Sequence, residues 1–185
     1  MPKVLVTIST GFEEIEAITI IDILRRAQIE VVIATINDIL TVGANAIVVQ
    51  ANQYLKDINP LDFDMIVLPG GEINSQNLAS STLVQNALKL MKEKNKYIAA
   101  ICAAPYALHT ANVLNKNFTC YPSFEEKIRQ DGYKGDKQEV IIDEKVITSR
   151  GPATAMIFAL ELVKILKDEK TYQKIKSGLL VNNRR

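Results

Sequence analysis

Among side chains able to attack or to carry a proton near neutral pH, this chain of 185 residues has two cysteines and one histidine. Cys102 is the better placed thiol. The segment Ala99-Ala100-Ile101-Cys102-Ala103-Ala104-Pro105 is an apolar strand, one thiol, then small residues and a proline. Proline suits the first turn of a helix, where its missing N–H costs nothing, so a helix is expected from about Ala104. The thiol then sits at a strand-to-helix elbow, a layout that exposes a nucleophile and surrounds it with free amides. A helix N-terminus also favours the thiolate, pulling the pKa below the free value of about 8.5. At pH 7 a thiol of pKa 8.5 is only about 3% ionised, whereas one near 5.5 is almost fully ionised. The competing reading is a buried structural cysteine, the commonest state of a free thiol.

An acyl-transfer thiolate normally has a base beside it. The only histidine, His109, is seven residues further along the same expected helix. Seven residues rise about 10.5 Å, so its imidazole is two turns from the sulfur and no Cys–His dyad is expected. Glu16 is the other candidate. It follows Glu13 and Glu14 at the start of the first expected helix, where acids complement the dipole. That helix start is expected at the same sheet edge as Cys102. A carboxyl partly desolvated there has a raised pKa, stays protonated, and can donate a hydrogen bond to a thiolate. Gly70-Gly71 reads either as a tight turn or as a place where amides approach a ligand closely enough to form an oxyanion site. Cys120 has no motif around it, and Arg184-Arg185 is too small a charge cluster to imply a partner.

The elements that must position these residues alternate along the chain. Residues 3–8 (KVLVTI) and 64–68 (DMIVL) are nearly continuous apolar runs, as in strands buried on both faces of a parallel sheet. Further strands are expected at 30–35, 97–101, 138–142 and 145–149, with short antiparallel strands between 39 and 58. Helices are expected at 13–27, 81–94, from about 104, near 124–130, at 152–167 and at 169–177. The helix at 13–27 has acids first and Arg25-Arg26 last, matching the macrodipole. Alternating β and α segments imply a doubly wound, mainly parallel sheet with helices on both faces, in one domain spanning 1–185. Ligands in such folds bind beyond the carboxyl ends of the strands. Three expected strands end there in Gly11, Gly70-Gly71 and Cys102.

Composition narrows the function. Lys and Arg number 22 against 21 Asp and Glu, so the net charge of +1 creates no field for nucleic acid or anionic lipid. No stretch reaches the roughly 18 apolar residues of a membrane span. No signal peptide is read, and two unrelated cysteines suit a reducing cytoplasm. Two cysteines and one histidine without CxxC or HxxxH spacing cannot build a closed zinc site unaided, so neither a metal nor a cofactor is expected. The helix at 13–27 carries Ile15, Ile18, Ile20, Ile21, Ile23 and Leu24 all around its surface. Such apolarity implies burial on more than one side, either inside a monomer or at a two-fold dimer interface.

Four segments together resemble the DJ-one/ThiJ/PfpI superfamily, and within it the DJ-one branch with its bacterial YajL-like members. They are Gly11-Phe12-Glu13-Glu14-Ile15-Glu16-Ala17, Ile66-Val67-Leu68-Pro69-Gly70-Gly71, the Cys102 segment quoted above, and Thr148-Ser149-Arg150-Gly151-Pro152. The resemblance implies a flavodoxin-like α/β sandwich, related to class I glutamine amidotransferases, that forms a homodimer. It assigns Cys102 as an acidic, oxidisable nucleophile, Glu16 as its protonated partner, and the Gly71 and Ala103 amides as oxyanion donors. Gly70, Tyr121, Arg150 and Pro152 become candidates for substrate contact. The activities implied are glyoxalase-type hydration of methylglyoxal, deglycation, chaperoning and oxidative-stress sensing, with small reactive carbonyls or glycated adducts as partners. Many relatives carry a histidine where this chain has Tyr121, and tyrosine does not shuttle protons at neutral pH as imidazole does. YajL-like members also lack that histidine. The protease-like branch places a histidine directly after its cysteine, where this chain has Ala103, so peptidase activity is disfavoured.

Overall fold

The computed structural model describes residues 1–181; Arg184 and Arg185 lie outside the described residues. In chain order the elements are β1 (Lys3–Ile8), α1 (Glu14–Arg26), β2 (Glu30–Thr35), β3 (Leu40–Val42), β4 (Val48–Gln50), β5 (Gln53–Tyr54) and β6 (Met65–Leu68). Then follow α2 (Glu72–Ser80), α3 (Thr82–Glu93), β7 (Tyr97–Ile101), α4 (Pro105–Thr110) and α5 (Glu125–Ile128). The chain continues through β8 (Val140–Asp143), β9 (Val146–Ser149), α6 (Ala155–Leu166) and α7 (Glu169–Gly178).

Period-two alternation in the buried strands divides the apolar residues between two cores. Val4, Val6 and Ile8 of β1, Met65 and Val67 of β6, and Ala99 and Ile101 of β7 face one side, where Ile20, Ile23 and Leu24 of α1 meet Phe158, Leu162 and Val163 of α6. Leu5, Ile66, Leu68, Ile98 and Ala100 face the other, against Val84, Leu88 and Met91 of α3 and Ala107 and Leu108 of α4. A sheet covered on both faces is the reason these strands read as continuous apolar runs rather than alternating ones. The sheet order is β5-β2-β1-β6-β7-β9-β8. Every neighbouring pair is parallel except β8 with β9. This is the mainly parallel α/β sandwich expected.

Two local expectations change. Between 39 and 58 only β3 and β4 form an antiparallel pair, whereas β5 joins the main sheet parallel to β2. Helix α2 was not expected at all. Its sequence, EINSQNLAS, has few apolar residues; Ile73 is exposed and only Leu78 and Ala79 bury apolar side chains. No 3.6-residue stripe announces it. Helix α1 buries Ile20, Ile21, Ile23 and Leu24 but leaves Ile15 58% and Ile18 44% exposed, so its all-round apolarity is not absorbed within this chain.

Candidate active site

Strand β7 ends at Ile101, and Cys102 follows with φ +65°. A left-handed backbone at a non-glycine residue costs about 1–2 kcal/mol and persists only where neighbours hold it. Here the Cys102 N–H donates to Ser149 O at the end of β9 (3.0 Å), and its C=O accepts from Tyr121 N–H (2.8 Å). The sharp turn at Cys102 lets the thiol reach a cavity of about 240 Å³ walled by Glu13, Gly71, Glu72, Cys102, Ala103, Tyr121, Phe124 and Pro152. The thiol remains largely covered, at 8% exposure.

Glu16 lies in α1 with no solvent exposure. Its Oε2 accepts from Gly70 N–H at 2.7 Å, and its carboxyl is within hydrogen-bonding range of the Cys102 thiol. Glycine at 70 is obligatory for this approach: a Cβ there would stand 2.5 Å from Cys102 Cβ and 2.6 Å from Glu16 Oε2. Gly71 is in the left-handed region at φ +92°, and its Cβ would fall 2.1 Å from Gly11 O. Burial raises the Glu16 pKa to about 7, with the Glu13 charge adding and the Gly70 amide and Cys102 thiol opposing. Its carboxyl is therefore substantially protonated at neutral pH.

The thiol departs from expectation. Burial, then the Glu16 charge and hydrogen bond, push the Cys102 pKa up, while amides of Gly71 and Ala103 bonded to the sulfur pull it down. The expected lowering by a helix N-terminus does not prevail, because α4 starts only at Pro105, three residues on, and is six residues long. Two interacting sites titrate as a pair. With the proton on Glu16, its negative charge no longer opposes the thiolate and the carboxyl becomes a donor. The arrangement thus places a carboxyl that holds a proton near neutrality, two aimed amides and one sulfur at the end of a small cavity.

Of the candidates for substrate contact, Tyr121 and Pro152 are on the cavity wall with the oxyanion candidates Gly71 and Ala103. Gly70 and Arg150 are not. Gly70 donates its N–H to Glu16 and its C=O accepts from Glu13 N–H and Asn74 Nδ2. The Arg150 guanidinium lies by Gly135 and carries its charge towards Cys120. His109 has Arg129 as its charged neighbour; burial and that cation lower its pKa. Cys120 is fully buried, and burial with the Glu125 charge pushes its thiol up to about 12. Glu72 and Phe124 complete the wall without having been singled out from sequence. Glu72 belongs to the unexpected helix α2 and pairs with Lys127 at 3.6 Å. Among the described residues no group of three or more His, Cys, Asp or Glu side chains could hold a metal, and no helix is long and apolar enough to cross a membrane.

Known proteins share this arrangement of elements. The chain is 39% identical to protein DJ-1 homolog A of Arabidopsis thaliana over 97% of its own length, and it spans under half (46%) of that relative. It is 31% identical to a Schizosaccharomyces pombe protein named glutathione-independent glyoxalase DJ-1, over 97% of this chain and 98% of the other. The crystal structure of Drosophila melanogaster DJ-1beta superposes with a TM-score of 0.93 at 35% identity, covering 98% of both chains. The profile of the DJ-1/PfpI family matches residues 2–165, a span that contains the elbow cysteine, the Glu16 helix and the two-glycine loop. The chain therefore belongs to the DJ-1/PfpI family.

Proposed function

We propose that this protein is a Cys102-dependent enzyme that hydrates reactive dicarbonyls or resolves their early adducts, in the manner of a glyoxalase or deglycase, and so protects against carbonyl and oxidative stress. The observation that carries the reading is the convergence on one sulfur of a buried carboxyl titrating at about 7 and two amides. With methylglyoxal, the Cys102 sulfur adds to the aldehyde carbon as the C=O π bond breaks, and the thiol proton passes by way of the Glu16 carboxylate to the carbonyl oxygen, giving a hemithioacetal and leaving Glu16 ionised. The Gly71 and Ala103 amides stabilise the oxyanion as it forms. Glu16, now a carboxylate, removes the C1 proton and returns it at C2, so that C1 is oxidised and C2 reduced within the same molecule. Water then cleaves the resulting thioester, releasing lactate and the thiol. Atoms balance as methylglyoxal plus water, with no cofactor. Tyr121, on the wall, is suited to hydrogen-bond a substrate carbonyl.

Turnover of methylglyoxal tests the reading. Lactate formation is expected from the wild type and is expected to fall to background in Cys102→Ser. Equal behaviour of the two proteins overturns catalysis and leaves a redox sensor or chaperone that works through Cys102 oxidation. Peptidase or amidase chemistry is the weakest alternative, since no imidazole adjoins the sulfur. In this reading the chain is a YajL-like member acting in a reducing cytoplasm; Tyr121 is compatible with that branch, and Ala103 speaks against the peptidase branch.

The working form in this proposal is a homodimer of single-domain chains. The Glu14 carboxylate accepts from Asn45 N–H (2.6 Å) and Asn45 Nδ2 (3.0 Å), which holds the β3–β4 hairpin against the start of α1. Ile15 and Ile18 of α1 and Ile47 and Val48 of this hairpin are exposed apolar residues, of a kind suited to a two-fold contact. Sedimentation at micromolar concentration is expected to give twice the chain mass, and Ile18→Glu to shift it to the monomer. A monomeric wild type removes this part of the proposal.

A further inference from the structure

One buried side chain holds both peptide groups that face the Cys102–Glu16 pair. Asn74, in the first turn of α2, has no solvent exposure. Its Oδ1 accepts from Ser9 N–H at 2.7 Å, and its Nδ2 donates to Pro69 O at 2.8 Å and Gly70 O at 3.0 Å. One N–H donor and two carbonyls around the amide leave no ambiguity about which atom is nitrogen.

A trans peptide group is planar, with its C=O and N–H directed oppositely. The Pro69 carbonyl shares its plane with the Gly70 amide, and the Gly70 carbonyl shares its plane with the Gly71 amide. Drawing both carbonyls onto Asn74 turns both amides the other way. The Gly70 N–H meets Glu16 Oε2 at 2.7 Å, and the Gly71 N–H meets the Cys102 sulfur. The Glu13 N–H adds a second hold on Gly70 O at 3.0 Å, and the Ser9 bond ties the assembly to the end of β1. Glycine supplies the reach but not the direction. With φ free on both sides of zero, two successive glycines need an external hold to fix their peptide planes.

We propose that Asn74 is a positioning residue whose single NH₂ group orients two successive peptide planes, aiming one amide at the Glu16 carboxyl and the next at the Cys102 sulfur. The inference rests on Cys102 being the reacting thiol, and it holds whether the output is turnover or oxidation. A purely structural role would satisfy the loop carbonyls and end there. The functional role requires the amides on the far side to matter.

The test reads the thiol without any carbonyl substrate. The rate of Cys102 alkylation by iodoacetamide is followed against pH by peptide mass spectrometry. Asn74→Ala is expected to raise the midpoint by about one pH unit, a tenfold loss of thiolate below it, and Asn74→Ser, which keeps one donor, to fall between. Asn77→Ala is the control: its amide donates to Ser9 Oγ at 3.2 Å and touches neither loop carbonyl, so it is expected to leave the midpoint in place. An unchanged midpoint in folded Asn74→Ala overturns the proposal, even if its melting temperature drops. Should Asn74 variants not fold, ¹⁵N-glycine-labelled wild type decides: Gly70 and Gly71 amide shifts must both titrate with the alkylation midpoint, and a silent Gly71 amide overturns it. A wild type that alkylates as expected but makes no lactate sinks the enzymatic reading and leaves the role of Asn74 standing.

Discussion

Cys102 and Cys120 are the same residue, both covered, and both thiols are raised by burial. They differ in what burial has put around them. Cys120 is sealed completely, with the Glu125 charge raising its pKa and the Arg150 charge and Glu125 amide opposing. Cys102 keeps 8% of its surface open to a cavity. Its backbone is turned into a left-handed conformation and two loop amides meet its sulfur. Beside it is a carboxyl that holds a proton near neutrality rather than a fixed charge. Desolvation alone makes a thiol inert. Reactivity at Cys102 depends on the groups that compensate for desolvation when the thiolate or an oxyanion forms.

The largest effect that separates the two is on turnover. Cys102→Ser is expected to lose at least about 1,000-fold in lactate formation, roughly 4 kcal/mol of transition-state stabilisation, whereas Cys120→Ser is expected to stay within about twofold. Equal losses would break the contrast.

A second effect is on stability, and its sign follows from the direction of the Glu16 shift. The folded pKa of about 7 lies above the ordinary carboxyl value of 4.5, so the folded state binds the proton more tightly. Below pH 4.5 both states are protonated and nothing is lost. Between 4.5 and 7 the unfolded chain ionises first, and wild-type stability falls by about 3 kcal/mol in total. Above 7 the loss levels off. Denaturant titrations at pH 4.5 and 7.5 are therefore expected to show Glu16→Gln gaining about 3 kcal/mol on the wild type across this window. A difference that stays flat with pH would mean that folding leaves the Glu16 pKa unshifted, and its role as a proton holder near neutrality would go.

The smallest effect is the order of oxidation. Mild peroxide is expected to convert Cys102 to the sulfinate at least about tenfold faster than Cys120, by peptide mass spectrometry, since accessible thiolates climb the oxidation ladder first. Glu16→Ala, lacking the donor beside the sulfur, is expected to accumulate the sulfinate less cleanly. Oxidation of Cys120 ahead of Cys102 would reverse the comparison.

The residues legible from sequence are those whose types are dictated locally. Apolar runs mark β1, β2 and β7 with the boundaries observed, because a strand buried on both faces has no polar position to blur its ends. Cys102 before two alanines and Pro105 marks the elbow, because few sequences fit a strand, a sharp turn and a helix start in seven residues. Helix α2 was not legible. It has a largely polar sequence, and it is held in part by bonds that Asn74 and Asn77 make with Ser9, 65 and 68 residues away. The same applies to β5, two residues long, whose parallel pairing with β2 is a property of the sheet edge.

The sequence by itself determined that a parallel sheet forms, that its strands end at Gly11, Gly70-Gly71 and Cys102, and that Glu16 begins the helix beside them. It did so through periodicity and punctuation, which act over a few residues. Only the tertiary structure decided that Gly70 serves Glu16 and not a ligand, that Arg150 turns toward Cys120, and that Asn74 holds the loop. It also decided the protonation of the pair. The proton affinity of a carboxyl depends on how far water is excluded and which charges and donors surround it. Those neighbours come from α1, β7 and the β6–α2 loop, 54 to 86 residues apart for Gly70 and Cys102 relative to Glu16, and no local pattern records them.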